Sequence, residues 1–235
     1  MLRLALLASL PVLARSPVVS ADCAFVGLSA KALTPSGAVP ADGGILVAAV
    51  PDEAGKLDPG DAALKAPWRF KNVAVNPSWR SLAPGLAVMV VPTKATELID
   101  TAGKLVLTVK ATDAKPTTVL GAPKISAVTL EPMHSRRQSE RITVSFDDVP
   151  AGAVAIVLSD TKGKPRTWKL IEATKPTSGR PAKPIVLPIY GAGRCTSMPN
   201  GTLPSKAGEA VVVQFVDQFG RLSPASRSIK VTGTP

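Results

Sequence analysis

Prolines and glycines are spread along the whole sequence and limit the elements that it can form. The 235 residues include 23 prolines and 18 glycines, and a proline inside a helix removes a hydrogen-bond donor and clashes with the preceding turn. Short runs rich in Val, Ile, Leu and Ala lie between them, and hydrophobic residues make up 45% of the chain. This excludes a helical bundle and a chain disordered throughout. It predicts an all-β protein, a sandwich or a barrel.

The apolar runs predict the strands. One segment, Arg141–Phe146, alternates apolar and polar residues as a half-buried strand does, whereas Val211–Val213 is apolar throughout and predicts burial on both faces. A helical turn is predicted at Asp61–Lys65, capped by Asp61. The predicted strands are Ala24–Leu28, Gly44–Val50, Arg69–Val75, Leu86–Val91, Lys104–Ala111, Lys124–Leu130, Arg141–Phe146, Ala153–Ser159, Arg166–Ile171, Pro184–Ile189, Ala210–Val216 and Ser226–Val231.

A connector rich in Pro, Thr and Gly divides the chain. Residues 116–123 read Pro-Thr-Thr-Val-Leu-Gly-Ala-Pro, a composition typical of a short, semi-rigid linker. We therefore expect two β-sandwich domains in tandem, at 22–115 and 124–235, each of a size usual for such folds. A single larger β domain is the competing division.

The first 21 residues have the layout of a secretory signal peptide. One positive charge precedes the apolar run Leu4–Ala14, and Val19-Ser20-Ala21 gives a small-residue cleavage site after Ala21. The run is too short to span a bilayer, which takes about 20 apolar residues. We expect a secreted or periplasmic protein without a transmembrane segment, and the abundance of Ala, Pro and Arg is typical of GC-rich bacteria. Lipidation at Cys23 is a minor alternative, because Asp22 precedes it.

Export would determine the redox state of the two cysteines, Cys23 and Cys195. Disulfides persist outside the cytoplasm, and two cysteines allow one intramolecular pairing. The sequence thus predicts a structural Cys23–Cys195 disulfide, with free or intermolecular thiols as the alternative.

Two segments carry a resemblance to known modules. The stretch Val211–Pro224, with Val216-Asp217, the turn residue Gly220 and Ser223-Pro224, resembles the last two strands of fibronectin type III and related immunoglobulin-like modules. The stretch Pro35–Val47 is similar to the opening of bacterial immunoglobulin-like domains. The resemblance implies a strand ending at Asp217, a tight turn at Gly220 and an edge strand starting at Pro224. It also implies a secreted β-sandwich that serves as spacer, adhesive module or enzyme accessory.

Positive charge is concentrated in the second half. Residues 123–235 carry 16 Lys and Arg against 8 Asp and Glu, whereas residues 22–122 carry 10 against 9. The densest stretch, 162–183, contains Trp168, and alternation there puts Arg166, Trp168 and Leu170 on one face and Thr167 and Lys169 on the other. An exposed Trp168 would make a basic strip for a polyanion or a sugar ring, and a buried Trp168 in a sandwich core is the favoured alternative. The candidate binding residues are Lys162, Lys164, Arg166, Trp168, Lys169 and Arg180.

The sequence offers few residues for catalysis or for metal binding. The chain has one histidine, His134, next to Arg136-Arg137, and a loop role is favoured over a catalytic one. Asp147-Asp148 and Asp58–Asp61 lack the ligand spacing of known calcium loops and are interpreted as turn formers. We predict no catalytic residues, no cofactor and no metal site. Trp68 and Trp79, each followed by Arg, are interpreted as core residues.

The sequence therefore favours a secreted, non-catalytic recognition or scaffolding module of the envelope or the extracellular space. Three alternatives stay open: a binder of an anionic polymer or polysaccharide through residues 162–183, a secreted enzyme or enzyme accessory domain acting on polysaccharide or peptide, and a passive spacer.

The disulfide can be tested directly. Thiol titration of the exported protein in denaturant should detect no free thiol before reduction and both cysteines after it. Reduction should lower the free energy of unfolding by up to about 5 kcal/mol, because the bridge would close a long loop in the unfolded chain. Two reactive thiols in unreduced protein would contradict the prediction.

Overall fold

The structure, a computed structural model, describes residues 27–52, 64, 68–74, 76–113, 120–131, 141–171, 185–190 and 207–233. These residues form sixteen β-strands. The first eight are β1 (Gly27–Ala32), β2 (Gly37–Pro40), β3 (Ile45–Asp52), β4 (Arg69–Phe70), β5 (Trp79–Ala83), β6 (Leu86–Met89), β7 (Glu97–Ile99) and β8 (Leu105–Thr112). The others are β9 (Ile125–Glu131), β10 (Arg141–Phe146), β11 (Ala153–Asp160), β12 (Pro165–Leu170), β13 (Ile185–Tyr190), β14 (Ala210–Asp217), β15 (Ile229–Lys230) and β16 (Thr232–Gly233).

The all-β prediction is confirmed. The strands form four sheets of four strands, ordered β1-β3-β6-β5, β2-β8-β7-β4, β12-β11-β14-β15 and β13-β10-β9-β16. Of the predicted helical turn only Leu64 is described, in helical geometry and buried. None of the described helical structure has the length and apolar character needed to cross a bilayer.

Two of the three buried clusters each lie between a pair of sheets. The first core takes side chains from β1-β3-β6-β5 and β2-β8-β7-β4, which we call the first sheet pair. The second core takes side chains from the other two sheets, the second sheet pair. The largest buried side chains of the second core, Phe146 and Phe215, stack with ring centroids 5.5 Å apart.

A third buried cluster joins the two sheet pairs. It takes Leu46, Ala48, Leu82, Ala83, Leu86 and Val88 from β3, β5 and β6, and Ala155, Val157, Trp168 and Val216 from β11, β12 and β14. The sheets β1-β3-β6-β5 and β12-β11-β14-β15 therefore lie face to face in the middle of the molecule. The other two sheets lie outside them.

Side-chain alternation explains why the middle strands are apolar on both faces. In β3, Ile45 and Val47 point into the first core, whereas Leu46 and Ala48 belong to the third cluster. In β11, Ile156 and Leu158 enter the second core, and Ala155 and Val157 enter the third cluster. Since successive side chains of a strand point to opposite faces, a continuous apolar run requires a covering layer on each side.

Part of the predicted linker, residues 116–123, contributes to the second core. Leu120 is buried there, and residues 114–119 lie outside the described part of the chain. Separate cores on the two sides agree with a boundary in this region, while the third cluster shows that the two parts are packed together. The domain limits stay a prediction.

The predicted strands are recovered with shifted ends, and some short strands were missed. β10 has the predicted bounds and buries Ile142, Val144 and Phe146. β4 ends at Phe70 and β6 at Met89, earlier than predicted. The prediction omitted β2, β5, β7 and β16, which have five residues or fewer, and of the predicted strand Ser226–Val231 only Ile229–Lys230 forms a strand. The run Val211–Val213 is buried except at Val212, which is half-buried.

The expected strand start at Pro224 is wrong. The regular strand β15 begins at Ile229, and serine hydroxyls hold the preceding segment to β14. The Oγ of Ser223 accepts the N–H of Phe215 at 2.9 Å, and the Oγ of Ser226 accepts the N–H of Val213 at 3.0 Å. These hydroxyls replace carbonyl acceptors of a regular ladder, so the segment stays attached without extended pairing.

A buried hydroxyl gives the first mutational prediction. Thr167 on β12 is 0% exposed, and its Oγ1 has no hydrogen-bond partner among the described residues. Since an unsatisfied buried hydroxyl costs stability, Thr167→Val should raise the free energy of unfolding by about 1 kcal/mol. Urea unfolding measures the change. The exposed Thr108→Val is the control and should stay within about 0.5 kcal/mol. A loss of stability in Thr167→Val would contradict the interpretation.

Candidate functional site: the basic hairpin at residues 160–170

The β11–β12 hairpin carries most of the candidate binding residues, and its turn is held by one carboxylate. The Oδ1 of Asp160 accepts the backbone N–H groups of Lys162 and Lys164, both at 2.9 Å. The main chain closes the same turn, with Gly163 N–H donating to the Asp160 carbonyl at 3.0 Å and Asp160 N–H donating to the Lys164 carbonyl at 3.0 Å. Gly163 has φ +79°, a conformation that glycine adopts without the strain of a Cβ. The two lysines therefore extend from a preorganised tip, and both are exposed.

The same turn occurs at two other places in the described chain. In each, an aspartate accepts the N–H groups two and four residues later, at 2.9 Å, and a glycine with positive φ stands at the fourth position. The sequences are Asp100-Thr101-Ala102-Gly103-Lys104, Asp160-Thr161-Lys162-Gly163-Lys164 and Asp217-Gln218-Phe219-Gly220-Arg221. The shared pattern Asp-x-x-Gly-Lys/Arg was not recognised in the sequence, although a search for repeats would have shown it. It identifies a turn frame whose third residue varies.

The turn hydrogen bonds also set the ionisation of Asp160. The N–H of Lys164 is the largest cause that lowers the pKa of the Asp160 carboxyl below its ordinary value. Desolvation is the second-largest cause and raises this pKa, whereas the N–H of Lys162 and the positive charges of Arg166 and Lys162 lower it, so the net shift is downward. The carboxylate thus stays negative beside the lysines and occupies two backbone N–H groups. An anion at the tip would meet the ammonium groups instead.

Arg166 is paired within the protein. Its Nη2 lies 2.7 Å from Oε1 of Glu209, and the two side chains are 28% and 24% exposed. Glu209 precedes β14, two strands away from β12 in the same sheet. Because its charge is matched by Glu209, Arg166 adds less to an anion-binding surface than the two tip lysines do.

Trp168 is buried and does not form the exposed platform that one interpretation of the sequence required. It is 2% exposed in the third cluster, and its Nε1 donates to the carbonyl oxygen of Pro84 at 2.7 Å. Leu170 packs against the same cluster, so the predicted face of Trp168 and Leu170 is the one that contacts the first sheet pair. The favoured alternative placed Trp168 in a sandwich core. Its position between the two inner sheets was not foreseen.

Of the basic stretch 162–183 the structure describes residues 162–171, which run along β12 from one end of the second sheet pair to the other. Lys162 and Lys164 lie where β11 ends and β12 begins, whereas Ile171 and Ile185 lie at the opposite end, near the start of β11 and the end of β10. The six residues of β12 separate these ends by about 20 Å. Arg180 falls between Ile171 and Ile185, outside the described residues. Lys169, half-buried opposite Ile156, lies along the strand.

Among the remaining candidate residues, those that the structure describes are not brought into one site. Asp147 and Asp148 are exposed in the loop after β10, while Asp58, Asp61, His134, Cys23 and Cys195 lie outside the described residues. In the described ranges no three His, Cys, Asp or Glu side chains are grouped so that they could hold a metal ion. Trp68 and Trp79 are half-buried against the first core, where Trp68 Nε1 donates to the Leu64 carbonyl at 3.0 Å.

Comparison of the sequence with protein-family models and with curated proteins finds no match.

The lowered pKa of Asp160 leads to a prediction about the pH dependence of the turn. Since the folded-state pKa of Asp160 is lowered, its contribution to stability is full above the unfolded-state pKa and is lost as the pH falls through the lowered folded value. In an NMR titration, the amide resonances of Lys162 and Lys164 should shift together at a pH below the ordinary range of Asp. In Asp160→Asn, which keeps an acceptor oxygen but cannot ionise, this step should be absent. A titration at the ordinary pKa of Asp would contradict the assignment.

Proposed function

We propose that this protein is an exported, non-catalytic recognition or scaffolding module, built from two immunoglobulin- or fibronectin-like β-sandwiches. Its contact surface for an acidic polymer is the hairpin tip with Lys162 and Lys164. The observation that carries the proposal is the exposure of these lysines on a turn fixed by Asp160.

Strand order supports the immunoglobulin-like part of the proposal. The constant-type immunoglobulin fold places strands A, B, E and D in one sheet and C, F and G in the other. If β1, β3, β4, β5, β6, β7 and β8 are taken as A to G, the orders β1-β3-β6-β5 and β2-β8-β7-β4 follow that arrangement, with β2 added beside G. In the second sheet pair the fourth strand, β12, stays beside the third, β11. This is a variation within the same sandwich architecture.

The packing of the inner sheets supports a scaffolding role. The third cluster ties β11 and β12, the two strands of the basic hairpin, to β3, β5 and β6. A turn placed on strands that are buried on both sides has little freedom to change direction. A loop held in this way can present a contact surface at low entropic cost.

The excess of positive charge in the second half of the chain supports the proposal of an acidic partner. Residues 123–235 hold 16 basic against 8 acidic side chains, and long-range attraction between such a surface and a polyanion raises the association rate. The internal pairing of Arg166 with Glu209 leaves the tip lysines as the exposed cations of the hairpin. Binding of this kind depends on charge, and it restricts the conformation of the bound polymer only slightly.

The export and non-catalytic parts of the proposal rest on the sequence. Residues 1–21 have the layout of a signal peptide. A histidine-dependent hydrolase would have to use His134, the one histidine of the chain, which lies between positively charged and turn-forming residues.

Binding to a sulfated polysaccharide tests the proposal. Wild-type protein should bind dextran sulfate with an affinity that falls as salt is raised, because exposed charges are screened. The double variant Lys162→Gln, Lys164→Gln should bind about thirtyfold more weakly, since each lysine near an anionic surface contributes on the order of 1 kcal/mol. Isothermal titration at two salt concentrations measures both effects.

The matched control is Lys104→Gln. Lys104 is exposed at the same position of the Asp100 turn, in the first sheet pair. This variant should change the affinity by less than about twofold. Binding that is insensitive to salt, or equal weakening by the control and the double variant, would overturn the proposed contact surface.

A further inference from the structure

We infer that the turn Asp217–Arg221 is an interlock that makes the first sheet pair depend on the second for its stability. In this device Phe219 and three consecutive carbonyl groups of the turn complete the edge of a core that belongs to the other half of the chain. The inference is independent of what the protein binds.

Phe219 is the apolar part of the interlock. It lies at the third position of the turn that follows β14, yet its side chain packs against the first core. The approach is close, because a Cβ on Gly43 would lie 2.9 Å from the Cβ of Phe219. Gly220 has φ +72°, and a Cβ on it would overlap the side chain of Val88 on β6. Side chains at Gly43 or Gly220 would thus hold the two parts apart.

Three successive carbonyls form the polar part. The Gln218 oxygen accepts the hydroxyl of Thr34 at 2.6 Å, the Phe219 oxygen accepts the N–H of Gly44 at 2.9 Å, and the Gly220 oxygen accepts Nη2 of Arg80 at 3.2 Å. All three donors belong to the first sheet pair. Because three consecutive carbonyl groups must each meet their donor, these hydrogen bonds fix the orientation of the turn against the first sheet pair, which the apolar contact alone would not do.

Thr34 extends this network into the first sheet pair. It is buried, and besides donating to Gln218 it accepts the N–H of Leu46 at 2.7 Å. The hydroxyl therefore joins β3 to the turn across the boundary between the sheet pairs. Removing the turn would leave the hydroxyl only the Gly44 carbonyl, at 3.4 Å, as an acceptor and would expose part of the first core.

The two related turns show that Phe219, rather than the turn frame, is the special feature. The frame is the same at Asp100 and Asp160, and position three holds Ala102 and Lys162 there, both exposed. At Asp217 the frame is strengthened by Arg221, whose Nε donates to Asp217 Oδ2 at 2.7 Å. Ala102 shows that alanine is compatible with the third position.

The test is Phe219→Ala in the full-length chain, with Lys162→Ala as the control at the same position of an exposed turn. Hydrogen exchange followed by mass spectrometry reads the protection of each sheet separately. Because the same frame at Asp100 holds Ala102 at this position, Phe219→Ala should keep the turn and lose the docking contact. Exchange in β3 and β6 should then become about tenfold faster, and Lys162→Ala should leave it unchanged.

A second variant addresses the case in which Phe219→Ala does not fold. Arg80 is exposed, so Arg80→Met removes the donor to the Gly220 carbonyl without creating a cavity. It should accelerate exchange in β3 and β6 by a smaller factor than Phe219→Ala. Wild-type-like protection of β3 and β6 in either variant would overturn the interlock, as would equal effects of Phe219→Ala and Lys162→Ala.

Discussion

The third cluster, where β3 and β6 lie against β11 and β14, is the contact on which the arrangement of the whole chain depends. A sheet that is covered on both faces gains apolar burial twice, but its backbone must then approach a second backbone closely. The sequence provides small residues for this contact: the cluster contains Ala48 and Ala83 on one side and Ala155 on the other. Larger side chains at these positions would separate the sheets, and the bonds that cross the boundary would lengthen.

Polar groups at this boundary are paired across it. The indole N–H of Trp168 is bonded to Pro84, and the guanidinium of Arg80 is bonded to Gly220. An unpaired polar group beside an apolar contact costs more than a typical hydrogen bond contributes. These bonds therefore favour one relative placement of the two sheet pairs over others that bury similar apolar area. The apolar cluster supplies attraction, and the polar groups select the orientation.

The longer aliphatic strands could be predicted from the sequence, because their runs are continuous and bounded by turn residues. The short strands β2, β5 and β7 could not, since a run of five residues or fewer carries little periodicity. The partner of each covered face was equally inaccessible. An apolar run such as Ile45–Ala49 indicates two buried faces but does not say whether the second layer is near in sequence or, as here, more than a hundred residues away.

The surface position of the charged residues was as hard to predict from the sequence as the partners of the buried faces. Residues that are consecutive in a basic stretch need not share a surface, because a strand carries its two ends about 20 Å apart and pairs some of its charges internally. Lys162 and Lys164 stay exposed because they lie in a turn, whereas Arg166 meets Glu209 and Trp168 turns toward the first sheet pair. Of the candidate cations that the structure describes, Lys162 and Lys164 at the hairpin tip are exposed, and Arg166 and Lys169 are half-buried. The same turn frame that positions the tip lysines also positions Phe219 against the first core. A single local pattern can therefore serve an exposed contact or an internal one, according to the residue at its third position.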